Sequence, residues 1–138
     1  EAAEMYLETI LRLKNKIGVV RAVDIAREMG YSKPTISEQM KKFRENGYVE
    51  VNNEGHITLT DKGMEIASST LERHNVLGRI LQKIGVSKDT AIEDACRIEH
   101  YISEETFQCL KKYFGEELYH LNSLLELKIS DDFLAISK

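Results

Sequence analysis

The sequence has 138 residues, of which 42% are hydrophobic and 30% charged, with one proline and two cysteines. This composition predicts a helix-rich, soluble, globular protein with one sizeable core or two small ones. No apolar run approaches the roughly 18–20 residues of a membrane span, no secretory leader is recognised, and two cysteines exclude a disulfide framework. We therefore expect a cytoplasmic protein with no membrane partner.

The net charge of −4 is unevenly distributed along the chain. Between Arg12 and Arg44 nine lysines and arginines stand against three acidic residues, so this segment carries +6 and the remainder −10. A basic segment joined to an acidic remainder is typical of a DNA-binding head on an acidic body.

The first predicted helix covers residues 3–15, where Leu7, Ile10 and Leu11 repeat at helical spacing. Met5 and Glu8 stand three residues apart on it, which places a thioether and a carboxylate side by side. The simpler interpretation is that Met5 fills a gap in the core and Glu8 is a surface charge. Both interpretations stay open at this point.

Two short helices are predicted next, at residues 23–29 and 33–46. Gly30 ends the first, Ser32 is the N-cap of the second, and Pro34 lies in its first turn. This pattern is typical of a helix-turn-helix, whose second helix would contact base edges in the major groove. A helical hairpin that binds another protein is the alternative. The polar face of the second helix carries Lys33, Thr35, Ser37, Glu38, Lys41 and Lys42.

Residues 48–51 and 56–59 alternate apolar and polar side chains around the turn sequence 52–55, which predicts a β-hairpin. A helix-turn-helix followed by a hairpin is a winged helix, and this is the predicted N-terminal fold.

Three further helices are predicted, at about 61–84, 87–102 and from 103 onwards, with Ser87 and Ser103 as N-caps. Apolar positions of the third include Phe107, Leu110, Tyr113 and Phe114, and leucines recur densely after it, which favours a subunit interface. These leucines are Leu118, Leu121, Leu124, Leu125 and Leu127.

Cys96, Glu99 and His100 stand at i, i+3 and i+4 near the middle of the 87–102 helix. On one helical face a thiolate, a carboxylate and an imidazole make half of a site for a divalent transition metal. The alternative is a buried, inert Cys96 with Glu99 and His100 as its solvated edge. A lone helical His74 is ordinarily a packing or surface residue.

Several motifs with preserved spacing resemble the diphtheria toxin repressor family of metal-dependent repressors, which includes the manganese transport regulators. They are Glu4-Met5-Tyr6-Leu7, Ile25-Ala26, Pro34-Thr35-Ile36-Ser37, Leu59-Thr60-Asp61-Lys62-Gly63, Arg73-His74 and Asp94-Ala95-Cys96-Arg97-Ile98-Glu99-His100. The resemblance implies a mainly α protein with a winged helix-turn-helix DNA-binding domain at residues 1–63 and a helical metal-binding and dimerisation domain at 64–138. It implies a homodimer on palindromic double-stranded operators, in the short form that lacks an SH3-like domain.

By the same resemblance, Met5, Cys96, Glu99 and His100 match the principal metal site of the iron-responsive branch. Glu8 and His74 match ligands of the manganese branch, so the implied ligand set is a hybrid. The ancillary site of the iron branch is expected to be absent or altered, because Gly78 and Ile92 occupy two of its positions.

Thioether and thiolate donors favour Fe²⁺, Co²⁺, Ni²⁺ or Zn²⁺ over the oxygen-preferring Mn²⁺. We expect Fe²⁺ as the physiological metal and Mn²⁺ second, with Zn²⁺, Co²⁺ or Ni²⁺ binding in vitro.

Within the DNA-reading helix, Ser32, Pro34, Thr35 and Ser37 match family contact positions, and Lys33 and Lys41 are further candidates. Glu38 departs from the family, which often has Gln there. A carboxylate repels phosphate and can only accept a hydrogen bond, for instance from cytosine N4.

Three other functions are compatible with parts of the sequence. An enzyme is disfavoured, because Cys96-x-x-Glu99-His100 lacks the first His of an inverted zinc-protease helix. A redox-sensing winged-helix regulator would use Cys96 and Cys109 as its pair. A winged-helix repressor that senses a small organic ligand and no metal is disfavoured, because candidate metal ligands recur on three helices.

Overall fold

The computed structural model describes residues 2–115 and divides into two compact units between Ser69 and Thr70. The described part is mainly helical, as predicted, with one two-stranded sheet. None of its helices is both long and apolar enough to cross a bilayer. The elements are α1 (Ala2–Ile17), α2 (Ala22–Met29), α3 (Lys33–Glu45), β1 (Val49–Val51), β2 (Ile57–Leu59), α4 (Asp61–Lys83), α5 (Lys88–Ile98) and α6 (Glu104–Tyr113).

The predicted helix-turn-helix is formed by α2 and α3. Gly30 ends α2 in the left-handed region at φ 73°, where glycine has no Cβ penalty. Ser32 is the N-cap of α3, and its Oγ accepts a hydrogen bond from the Thr35 amide at 3.3 Å. Pro34 follows in the first turn, where a missing N–H costs nothing.

The hairpin of β1 and β2 is the predicted wing. Its antiparallel register pairs Val49 with Leu59 and Val51 with Ile57. Between the strands Asn52 Oδ1 accepts hydrogen bonds from the amides of Glu54 and His56, both at 2.9 Å. This side-chain acceptor closes the turn locally, so the wing needs few residues.

The core of the first unit is built from the inward faces of its helices and strands. α1 packs against α2 and β2, and the Phe43 ring makes edge contacts with Tyr6 and Tyr48. The largest fully buried side chains here are Leu7, Ile10, Val20, Ile25, Ile36 and Val49.

Gly63 lies where the wing leads into α4. The Thr60 amide donates to the Tyr48 carbonyl at 3.0 Å, and the Gly63 amide donates to the Thr60 hydroxyl at 3.1 Å. A Cβ on Gly63 would collide with the Tyr48 carbonyl oxygen. The joint therefore requires glycine for space.

The second unit contains the rest of α4 with α5 and α6. Val76, Ile80 and Phe107 form its buried cluster, with Ile102 and Leu110 packed against it. Tyr113, one of the predicted apolar positions of α6, is 83% exposed. The predicted leucine series from Leu118 to Leu127 lies outside the described residues.

One predicted helix is too long. Residues 87–102 were predicted as one helix, whereas α5 ends at Ile98, Glu99 is its C-cap, and residues 100–101 form a turn. The Tyr101 amide donates to the Ile98 carbonyl at 3.0 Å, three residues back, so the chain tightens into a turn there instead of continuing the α-helix. In the segment that follows, Arg73 of α4 donates hydrogen bonds to the carbonyl oxygens of Glu99 and Ile102, at 3.3 and 2.7 Å.

Candidate metal centre

Four of the six predicted metal ligands come together within the second unit. His74 lies on α4, Cys96 lies on α5, and Glu99 and His100 follow directly after α5. The Glu99 backbone stays in the right-handed helical region at φ −58° and ψ −29°. Because that conformation continues the helical turn, Glu99 remains on the same side as Cys96 although the helix has ended.

Contacts link the four side chains in series, from His100 through Glu99 and His74 to Cys96. Glu99 lies between two imidazoles, with its Oε2 2.9 Å from His74 Nδ1 and its Oε1 3.2 Å from His100 Nε2. Cys96 Sγ lies 3.4 Å from His74 Nδ1. The side chains of His74, Glu99 and His100 are 0%, 2% and 4% exposed, so these three are buried, while Cys96 is partly buried.

This donor set fits a divalent transition metal. Atoms bound to one ion at about 2.0–2.3 Å lie roughly 3–4 Å from each other. The three contacts at 2.9–3.4 Å, which join Cys96 to His74, His74 to Glu99 and Glu99 to His100, are close to that separation. One sulfur, one carboxylate and two imidazoles suit iron, cobalt, nickel or zinc, while the carboxylate also suits manganese.

The other two predicted ligands, Met5 and Glu8, lie on α1 in the first unit. Met5 is 40% exposed, and Glu8 is buried with its Oε1 3.7 Å from Arg12 Nε. They are one helical turn apart, as predicted. Cys109, the second cysteine, is exposed on α6 and free.

The predicted DNA-contact residues form one exposed face at the start of α3. Ser32 is its N-cap, and Ile36, Met40 and Phe43 turn inward. All seven predicted contact residues are exposed: Ser32, Lys33, Pro34, Thr35, Ser37, Glu38 and Lys41. The helix therefore presents its small polar N-terminal turn and its lysines to solvent.

Arg44 and Arg21 also lie beside the wing and were not predicted as site residues. Arg44, together with Ser37 and Lys41, lines a groove between α3 and the wing. Arg21, the N-cap of α2, has its Nη2 3.0 Å from His56 Nε2 in the wing. A basic residue in a helix-turn-helix is by itself a weak indication of a DNA contact. That Arg44 and Arg21 lie next to the wing is visible only in the folded structure.

Comparison with known proteins agrees with this architecture. The family model for the iron dependent repressor N-terminal DNA binding domain matches residues 1–57, and the model for its metal binding and dimerisation domain matches residues 60–118. The transcriptional regulator MntR of Escherichia coli is 33% identical over 113 residues, which cover 82% of this chain and 73% of MntR. This chain belongs to the iron-dependent repressor family.

Two other members of the family are longer. The iron-dependent repressor IdeR of Mycobacterium tuberculosis is 31% identical, over 81% of this chain and 49% of IdeR. A solved manganese-dependent transcriptional repressor in complex with manganese is 29% identical, with a TM-score of 0.74 over 82% of this chain and 52% of that one. The chain spans about half the length of these two relatives.

Membership confirms the resemblance and the fold class inferred from the sequence. The family comprises metal-dependent transcriptional repressors, and this chain carries both its DNA-binding domain and its metal-binding and dimerisation domain. Of these relatives, one is named as manganese-dependent and one as iron-dependent. The redox interpretation based on Cys96 and Cys109 finds no support in these matches.

Proposed function

We propose that this chain is a metal-dependent repressor that binds palindromic operators of metal-homeostasis genes as a homodimer, with a divalent metal as corepressor. The observation that carries the proposal is the series of contacts among His74, Cys96, Glu99 and His100 in the second unit. The exposed polar face of α3 supports the DNA-binding part. The protein acts by binding rather than catalysis, and the cytoplasm, where operators lie, is its site of action.

The proposed ligand set is completed by Met5 and Glu8 of α1. This part rests on the matching family positions and on the spacing of one turn between the two residues. A ligand set drawn from α1 and from the α4–α5 region would join a DNA-binding domain to a metal-binding domain. Metal would then favour the arrangement in which the two reading helices of a dimer fit successive major grooves.

The coupling between metal and DNA must be reciprocal. If metal raises operator affinity, operator DNA raises metal affinity by the same factor. A useful switch needs on the order of 2–3 kcal/mol of coupling, within the usual allosteric range. Metal affinity should fall at low pH, because the Cys96 thiol and the imidazoles must lose protons before they bind a metal.

We propose Fe²⁺ as the physiological metal and Mn²⁺ second. The Cys96 sulfur within contact distance of His74 supports this order, since thiolate favours iron over manganese. Zn²⁺, Co²⁺ and Ni²⁺ would bind in vitro by affinity order alone.

The test begins with a random duplex library selected by the protein in the presence of Co²⁺ under strict reduction. The recovered duplex is labelled, and its binding is followed by fluorescence anisotropy without oxygen, with Fe²⁺, Mn²⁺, Co²⁺, Zn²⁺ or chelator alone. We expect a palindromic site bound at least about 30-fold more tightly with metal, the equivalent of about 2 kcal/mol. Equal affinity in chelator would refute the metal-dependent part, and Mn²⁺ acting at lower concentration than Fe²⁺ would reverse the proposed order.

A further inference from the structure

Arg73 makes an unusual set of contacts for a residue that is not a ligand. Its Nη1 donates to the carbonyl oxygens of Glu99 and Ile102 at 3.3 and 2.7 Å, and its Nη2 donates to Glu104 Oε2 at 2.5 Å. The guanidinium lies 5.3 Å from the centroid of the Phe107 ring. The side chain is 17% exposed, so these contacts are largely shielded from water.

These contacts fix the connection between α5 and α6. The last carbonyl groups of a helix have no partner within it, and a cation placed there also interacts favourably with the helix dipole. Arg73 supplies both to the end of α5, while Glu104, its third partner, is the first residue of α6. One planar fork thus defines the course of residues 99–104.

Arg73 is also next in sequence to His74, another proposed ligand of the cluster. His74 follows Arg73 in α4, and Glu99 is held through its own carbonyl group. A single side chain therefore links the backbone that carries His74 to the backbone that carries Glu99 and His100.

We propose that Arg73 is a positioning residue for the metal site, which sets the separation of His74 from Glu99 and His100 and thereby the affinity for a metal and its coordination geometry. The inference rests on the proposed function. Ligands held in place before binding lose less conformational entropy when they bind, and residues that orient ligands typically govern about 10–100-fold in metal affinity.

Lysine cannot replace arginine in this role. An ammonium keeps the charge but lacks the planar fork that reaches two carbonyl groups and a carboxylate at once. Arg73→Lys therefore preserves the electrostatics near the cluster and removes the geometry. Arg73→Ala removes both.

The matched control is Lys111→Ala. Lys111 is also a cation that links α6 to α4, with its Nζ 2.8 Å from Glu72 Oε1 and 5.9 Å from the same Phe107 ring. In the contacts described it does not hold the Glu99 carbonyl. Lys111→Ala therefore measures the effect of losing a contact between α4 and α6 while the bond from Arg73 to the Glu99 carbonyl is retained.

The experiment titrates the full chain with Co²⁺, without DNA and without oxygen, and records the sulfur-to-cobalt charge-transfer band and the ligand-field bands. Thermal unfolding of the metal-free proteins is measured alongside. We expect Arg73→Lys to weaken Co²⁺ binding by about 10–100-fold and to change the ligand-field spectrum. Lys111→Ala should retain the affinity and the spectrum of the natural sequence.

Each outcome decides something. An Arg73→Lys variant with unchanged affinity and spectrum, or a Lys111→Ala variant with the same loss, would overturn the positioning role. A natural sequence that shows no Cys96-dependent band would instead overturn the metal site itself, and with it both proposals. If Arg73→Ala does not fold, Arg73→Lys and Glu104→Gln decide, the latter with a smaller loss in the same direction.

Discussion

His74 and Glu99 form a buried hydrogen bond, with His74 Nδ1 2.9 Å from Glu99 Oε2 and side chains that are 0% and 2% exposed. Burying a carboxylate is costly unless it has partners, and Glu99 has a second one in His100. The partners that satisfy the carboxylate are thus themselves proposed metal ligands, and a metal would compete with these hydrogen bonds.

Glu99→Gln should abolish metal-dependent operator binding while leaving the protein folded and dimeric, because an amide retains hydrogen bonds but not the charge that a cation needs. Changes to residues that only support a ligand cost about 10–100-fold in metal affinity, so we expect a larger loss here. Isothermal calorimetry and anisotropy measure it. Glu72→Gln is the control, since that exposed carboxylate of α4 pairs with Lys111. His100→Ala should behave like Glu99→Gln, and a metal response in either variant would show that the ligand set is wrong.

Gly63→Ala should destabilise the first unit, because the added Cβ collides with the Tyr48 carbonyl oxygen and the backbone must move. Overpacking of this kind costs about 1–3 kcal/mol, measurable by urea unfolding. Gly115→Ala is the matched control, since a Cβ there meets no atom of residues 2–115 within 4 Å. Equal stability of the two variants would show that the wing joint tolerates a side chain.

Glu38→Gln should raise DNA affinity, because it removes a negative charge from the exposed face of α3. One exposed charge near a phosphate is worth about 1 kcal/mol, or roughly fivefold in affinity. Selection from a random duplex library should also shift the preferred base, since Gln pairs with adenine and Glu accepts from cytosine. Glu28→Gln on α2 is the control, and an unchanged selected site would remove Glu38 from the proposed contacts.

The carboxyl group of Glu104 predicts a pH-dependent contribution to stability. Hydrogen bonds from Gln108 and then Arg73 lower the pKa of Glu104 below its ordinary value of 4.5. Because the folded pKa lies below the unfolded one, the stabilisation is complete above pH 4.5 and is lost as the pH falls through the folded value.

The free energy of unfolding of Glu104→Gln should therefore be lower than that of the natural sequence at pH 7. The two values should converge as the pH falls towards 3. Urea unfolding across this range measures the difference. Glu105→Gln serves as control, because it removes the neighbouring carboxylate and leaves the bond between Arg73 and Glu104 in place. A difference that does not change with pH would contradict the lowered pKa.

The elements that sequence reasoning predicted correctly depend on short-range chemistry. Ser32 and Ser103 are N-caps because a hydroxyl three residues before an amide can accept its hydrogen bond, whatever the rest of the chain does. The left-handed glycine at position 30 and the closing Asn52 are equally local.

The features that sequence reasoning missed depend on residues far apart in the chain. Arg73, 26 residues before Glu99, bonds the carbonyl oxygen of Glu99, the C-cap residue of α5. The i, i+3, i+4 spacing identified Cys96, Glu99 and His100 as a group, but the contact with His74 is made by packing of α4 and entered the prediction only through the family resemblance.

The two thiols of the chain differ in their surroundings. Cys109 is exposed on α6, whereas Cys96 is only partly accessible and touches His74. In a Cys109→Ser variant, the rate at which iodoacetamide alkylates the protein measures the reactivity of the Cys96 sulfur alone. A cation bound to that sulfur would lower the alkylation rate, so metal occupancy of the site can be followed inside living cells without purification or an optical probe.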